Sequence, residues 1–208
     1  MSSPTILWYF ADPMCSWCWG FSPVIESIRA TYGERLKIAL MMGGLRPGTT
    51  EPMSAKLRDE ILHHWHEVHK LTGQPFRYDG AMPDGFIYDT EPASRAVITM
   101  GELSPERIFP YFKAIQSAFY VEQMDVTDTG ILAELATQQG LNTAEFVAHF
   151  HSDAAKEKTQ QHFNGTKQAG VRGFPSLVLQ QDSEFEFIAR GYQPLETLKS
   201  QVENWLVK

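Results

Sequence analysis

Thr5 to Ala11 is an unbroken apolar run rich in β-branched and aromatic side chains, closed by Asp12-Pro13, which predicts a strand buried on both faces. Directly beyond it, Phe21, Val24, Ile25 and Ile28 fall at i, i+3, i+4 and i+7, one face of a helix that ends near Tyr32-Gly33. Leu36 to Leu45 then reads as a second buried strand. A strand, a helix and a strand in this order call for two parallel strands joined by a right-handed crossover. Pro23 falls inside the helix, where it deletes one backbone bond and is expected to kink the axis. Both cysteines of the chain, Cys15 and Cys18, stand at the first strand-to-helix junction.

From Arg46 to Gly170 the helical period dominates. Helices are expected at Ser54–Thr72, Glu91–Glu102, Pro105–Val121, Asp128–Gln139 and Thr143–His151, with a last one reaching toward Ala169. Gly73 to Asp89, with Pro75, Gly80, Pro83 and Gly85, is a loop. At Ser176 the pattern turns to strands. Ser176 to Gln181, a polar turn at Asp182-Ser183 and Phe185 to Ala189 make a β-hairpin, and Pro194 opens a closing helix with Leu195, Leu198, Val202, Trp205 and Leu206 on one face. This order predicts an α/β fold: a mixed sheet from residues 1–46 and 170–208, with residues 47–169 as an inserted helical domain.

Composition narrows the function. The chain has 208 residues, 43% of them hydrophobic, enough to build a core. Eighteen Lys and Arg against 25 Asp and Glu give a net charge of −7 with no basic run, which argues against nucleic acid or an anionic membrane as partner. No stretch reaches the roughly 18 apolar residues of a membrane span. The first residues lack a basic n-region and a long apolar segment, so a cytoplasmic location is expected.

Two cysteines are too few for a disulfide-stapled scaffold, and their role must be local. In Cys15-Ser16-Trp17-Cys18 the sulfurs lie about one turn apart at a helix start, within reach of a mutual disulfide. Cys15 meets unsatisfied backbone N–H groups and the positive end of the helix dipole, which favour a thiolate nucleophile. Cys18, one turn in, is placed to resolve a mixed disulfide formed at Cys15. Ser16-Trp17 adds no charge, and Asp12 opposes the thiolate if it comes close. The alternative for such a pair is half of a zinc site, which needs two more ligands. The only histidine cluster, His63, His64, His66 and His69, points around most of its helix at about 100° per residue, so these side chains are expected to be solvated. Trp17 and Trp19 flank Cys18 and are candidates for an apolar collar, with Trp19 equally suited to packing beneath the helix. Met41, Met42 and the other tryptophans are expected in the core, and Glu26 as a solvated charge rather than a proton shuttle.

Gly170-Val171-Arg172-Gly173-Phe174-Pro175-Ser176 stands just before the hairpin, and Pro175 there is a candidate cis-proline. A strand leading into Cys-x-x-Cys, a proline five residues past the second cysteine, and a Gly-Val-x-Gly-x-Pro segment before a hairpin and closing helix together resemble the thioredoxin superfamily. With the large helical insertion, the chain is similar to its DsbA-like branch. The resemblance implies a thioredoxin fold, with Cys15 as attacking thiol, Cys18 as resolving thiol and Pro175 as cis-proline. It also implies that the Phe174 backbone pairs with an extended substrate; Trp17, read above as part of an apolar collar, is the candidate contact from the helix side. The bulk of Phe174 is expected to narrow or reshape that groove, and Ser-Trp between the cysteines departs from the Pro-His of strongly oxidising members. The implied activity is thiol–disulfide exchange with protein or peptide thiols and disulfides, with no metal or organic cofactor and glutathione as a redox partner. Reduction or isomerisation is favoured over net oxidation by a reducing cytosol. A glutathione-dependent isomerase or transferase is the alternative, since the 2-hydroxychromene-2-carboxylate isomerase and kappa glutathione transferase families share this architecture; those families usually carry serine at the helix start. A non-catalytic binding or metal-holding module is a third reading.

Overall fold

The structure, a computed structural model, describes residues 5–33 and 35–207. Four strands form one mixed sheet in the order β2-β1-β3-β4: β1 (Ile6–Ala11), β2 (Lys37–Met42), β3 (Ser176–Gln181) and β4 (Glu184–Arg190). β1 runs parallel to β2 and antiparallel to β3, and β3 runs antiparallel to β4. The crossover between β1 and β2 is α1 (Ser16–Tyr32), whose residues Phe21, Val24, Ile25 and Ile28 are buried as their spacing requires. Between β2 and β3 lie α2 (Ala55–Thr72), α3 (Glu91–Leu103), α4 (Ile108–Ser117), α5 (Thr129–Gln138), α6 (Thr143–Phe150) and α7 (Asp153–Gln168); α8 (Leu195–Leu206) closes the chain. Among the described residues no helix is long and apolar enough to cross a membrane.

The alternation of β1 divides its side chains. Leu7, Tyr9 and Ala11 enter the main core beneath α1, whereas Trp8 and Phe10 gather with Met41, Val178 and Phe187 on the other face. That second face is only partly covered. Trp8 and Met41, expected in the core, are half-buried and line a cavity of about 570 Å³ between the sheet and α7, while Met42 is fully enclosed.

Two further expectations are corrected, and a third, for Glu26, is refined. β2 stops at Met42 rather than Leu45, because Gly44 takes a positive φ of 71° and turns the chain away, although Gly43 still donates to the Ala11 carbonyl at 2.7 Å. The single helix expected over Pro105–Val121 is three pieces: a 3-10 turn at Pro105–Arg107, α4, and a wide π turn at Ala118–Glu122. Ala118, Phe119 and Tyr120 of that wide turn are all buried. Glu26 is half-exposed but not simply solvated, since both its oxygens accept from Lys113 of α4 at 2.9 Å.

Two long-range clasps hold the sheet and helices in register around the cysteines. Pro23 has no N–H to offer the Trp19 carbonyl, and Gln74, just past α2, supplies the missing donor through Nε2 at 2.9 Å. On the edge strand, Met42 N–H donates to His162 Nδ1 at 3.2 Å and the Met42 carbonyl accepts from Thr166 Oγ1 at 3.2 Å, so α7 covers both peptide groups. Burial, reinforced by the charge of Lys158, lowers the His162 pKa to about 4, which keeps the ring in the neutral form that can accept.

Candidate active site

Cys15 is the N-cap of α1, with extended backbone at φ −94° and ψ 114° and no side-chain capping bond. Its Sγ lies 3.6 Å from the Phe174 carbonyl, to which the thiol donates. The peptide bond that follows this carbonyl, Phe174–Pro175, is cis. The loop before β3 is therefore folded onto the start of α1. Both cysteines are free thiols. Cys15 is 6% exposed and borders a cavity of about 230 Å³, whereas Cys18 is fully enclosed. Burial pushes the Cys18 thiol well above its ordinary range, Cys15 and the charge of Asp12 push in the same direction, and a backbone hydrogen bond from Asp12 offsets part of this.

The two aromatic neighbours divide. Trp17 is half-buried, packs 6.3 Å from the Tyr192 ring and lines the same cavity. Trp19 lies beneath the helix: its indole stacks on Tyr120 and its Nε1–H donates to the Pro75 carbonyl at 2.9 Å. Pro175 is buried, and its carbonyl accepts from Gly191 at 2.7 Å, which ties the loop to the end of β4. The far end of the Phe174 ring packs on Gly43, so closely that a Cβ there would fall 2.0 Å from its Cζ, while its carbonyl faces Cys15.

Asp12 proves to be an anchor of the site. Wholly buried, it accepts from Met14 N–H through Oδ1 at 2.9 Å and from Leu45 N–H through Oδ2 at 2.7 Å, joining the loops after β1 and β2. Burial outweighs these bonds and raises its pKa to about 6. An unfolded aspartate titrates near ~3.9, so the folded chain binds the extra proton between about pH 4 and 6 and loses stability as pH rises through that window, by about 3 kcal/mol. His162, with its lowered pKa, has the opposite dependence and cancels when two proteins that share it are compared. Asp12→Asn is therefore expected to gain stability relative to wild type between pH 4 and 7 by roughly this amount, read from urea midpoints. A wild-type-minus-variant difference that is flat with pH would refute the assignment.

Several residues at the site were not singled out from the sequence for it. Tyr9, six residues before Cys15 on the inward face of β1, is fully buried; its hydroxyl has no standard hydrogen-bond partner and interacts with the Cys18 sulfur. Tyr88 donates through its hydroxyl to the Met14 carbonyl. Arg46 and His64 line the Cys15 cavity from the loop after β2 and from α2. The inward alternation of β1 could have flagged Tyr9, but nothing local connects Arg46, His64 or Tyr88 to Cys15. The four clustered histidines are exposed; His66 stacks on Tyr78 at 4.0 Å and His69 Nδ1 meets the Gln74 carbonyl at 2.7 Å. Among the described residues no group of three or more His, Cys, Asp or Glu is arranged to hold a metal ion.

Comparison with known proteins agrees with this geometry. The profile of the DSBA-like thioredoxin domain matches residues 6–203. The chain belongs to this family. Its DsbA-like architecture superposes on the crystal structure of a candidate protein disulfide isomerase from Nitrosomonas europaea with a TM-score of 0.94, 48% identity and 98% of both chains covered. The cytosolic disulfide reductase DsbM from Pseudomonas aeruginosa is similar at a TM-score of 0.80 and 28% identity, covering 97% of this chain and 98% of that one, and has also been solved with GSH. Among curated proteins, the ClpXP adapter protein SpxH of Halalkalibacterium halodurans is 24% identical over 185 residues, 86% of this chain. The chain spans about 60% of the length of the SpxH relatives it matches. It thus carries the DsbA-like thiol–disulfide oxidoreductase fold across its described length.

Proposed function

We propose that this DsbA-like protein is a cytoplasmic disulfide reductase that cycles Cys15 and Cys18 between dithiol and disulfide, with glutathione as its small-thiol partner. The reading is carried by one observation: the Cys15 sulfur sits at a cavity, against the carbonyl that precedes a cis-proline, with Cys18 enclosed behind it. The Cys15 thiolate attacks a substrate disulfide, forming a mixed disulfide and releasing one substrate thiolate. Cys18 then attacks the Cys15 sulfur as its proton passes to the departing substrate sulfur, forming the Cys15–Cys18 disulfide and releasing the second substrate thiol. Two electrons pass to the substrate, and two glutathione thiols restore the dithiol while becoming glutathione disulfide. Phe174 offers its backbone to an extended substrate, with Pro175 and Trp17 as apolar neighbours. Likeness to DsbM supports the reducing direction and the glutathione partner. Isomerisation of protein disulfides uses the same Cys15 step. A glutathione-dependent isomerase or transferase needs no resolving thiol, and the burial of Cys18 directly behind Cys15 favours the reductase over it.

The test is mass analysis after mixing the reduced protein with glutathione disulfide. Wild type is expected to reach the internal disulfide and release two glutathiones. Cys18→Ala is expected to hold one glutathione on Cys15, freed by added thiol. Absence of both the internal disulfide and the adduct would remove the proposal.

A further inference from the structure

We infer that Arg46, supported by His64 from a separate wall, is a carboxylate-recognition site that selects glutathione-type anionic disulfides at Cys15. This rests on the reductase reading above and names the substrate class it prefers.

Arg46 lines the same 230 Å³ cavity as Cys15. Its backbone is held on both sides: the N–H donates to Thr90 Oγ1 at 3.0 Å, and the carbonyl accepts from Thr90 N at 3.3 Å and Thr49 Oγ1 at 3.1 Å. The guanidinium lies 5.7 Å above the Tyr88 ring, whose hydroxyl is fixed on Met14 beside Cys15. In a chain of net charge −7, Arg35, Arg58, Arg95 and Arg107 find carboxylates, and of the described arginines that are in no ion pair, Arg46 is the one that lines the Cys15 cavity. The nearby buried acid, Asp12, is occupied by two backbone donors, one of them Leu45, the residue before Arg46. A fixed, unpaired cation at the mouth of a reactive thiol is therefore poised for an anion that arrives with the substrate. Of the other wall residues, Met14, Trp17, Leu45, Ile61 and Phe174 are largely apolar and Ser16 and Tyr88 carry neutral hydroxyls, so they discriminate poorly between small disulfides of different charge. Glutathione carries two carboxylates flanking its cysteine, and guanidinium matches a carboxylate in a two-point geometry.

The test is steady-state reduction of three disulfides at low ionic strength, with dithiothreitol in place of glutathione as the reductant that restores the dithiol and the uncatalysed rate subtracted: glutathione disulfide, neutral hydroxyethyl disulfide and cationic cystamine. Arg46→Gln is expected to raise KM for glutathione disulfide about tenfold, in line with loss of one charge-assisted bond. The neutral substrate should change less than twofold, and cystamine should improve. Arg46→Lys should recover part of the loss, and added salt should raise the wild-type KM for glutathione disulfide but not that of Arg46→Gln. Equal changes on all three substrates, or none, would overturn the inference, as would a wild type that reduces the neutral disulfide but not glutathione disulfide. Wild type inactive on all three would instead overturn the reductase reading beneath it.

Discussion

Cys15→Ser is expected to lose turnover by on the order of 10³-fold or more, the scale that accompanies removal of the nucleophile from a covalent mechanism. Cys18 cannot take its place. It is fully enclosed and absent from the cavity wall, so a substrate disulfide does not reach it, and burial holds its thiol well above the ordinary range. Substitution at Cys15 should leave stability nearly unchanged, since its sulfur makes one long bond, to the Phe174 carbonyl at 3.6 Å, that a serine hydroxyl can imitate. Disulfide reduction measured together with a urea midpoint checks both halves. Activity within tenfold of wild type would mean that the chemistry lies elsewhere.

Gly43→Ala is expected to be the most disruptive single methyl group that can be added near the site. The new Cβ would stand 2.0 Å from Cζ and 2.1 Å from Cε1 of Phe174, well inside contact distance. Gly43 is also pinned to the Ala11 carbonyl, and the preceding Met42 is clasped by α7, so its backbone cannot retreat. The ring must move, and with it the carbonyl that receives the Cys15 thiol. A loss of about 3 kcal/mol is expected from overpacking, with a fall in turnover alongside. Phe174→Ala alone should cost about 2 kcal/mol through the lost ring contact. The double variant should be less destabilised than the sum of the two, because each removes the partner of the clash. Additive urea midpoints across the four proteins would show that the ring and the glycine do not meet.

Much of this fold is legible along the chain because its early elements are locally encoded. The apolar run of β1, the i, i+3, i+4, i+7 face of α1 and the hairpin after Pro175 each carry their own period, and the cysteine pair needs only its place at the junction to suggest its chemistry. The limits appear where a contact joins distant segments. Asp12 reads as a charge that opposes a thiolate, yet it ties Met14 to Leu45. Phe174 reads as an obstruction, yet its ring has a bed on Gly43. Trp8 and Met41 have core composition but face a half-covered side of the sheet. Arg46 belongs to the site because Thr90 and Tyr88 hold it there, and periodicity within either segment carries no trace of that pairing. The wide turn at Ala118–Glu122 is similarly set by the aromatic cluster it feeds rather than by its own helix propensity.

The bond from Gln74 to the Trp19 carbonyl bears on how a substrate enters. That carbonyl lost its ordinary helical partner to Pro23, and Trp19 is almost fully enclosed, so drawing the segment after α2 away from α1 would strand a buried acceptor, an opening penalty of about 1–3 kcal/mol from this group alone. The Trp19 indole bond to Pro75 and the tight approach of Gly20 to Val68 resist the same displacement. The segment that follows α2 is consequently moored to α1, and the share of the Cys15 cavity wall that α2 supplies, Ile61 and His64, is moored with it.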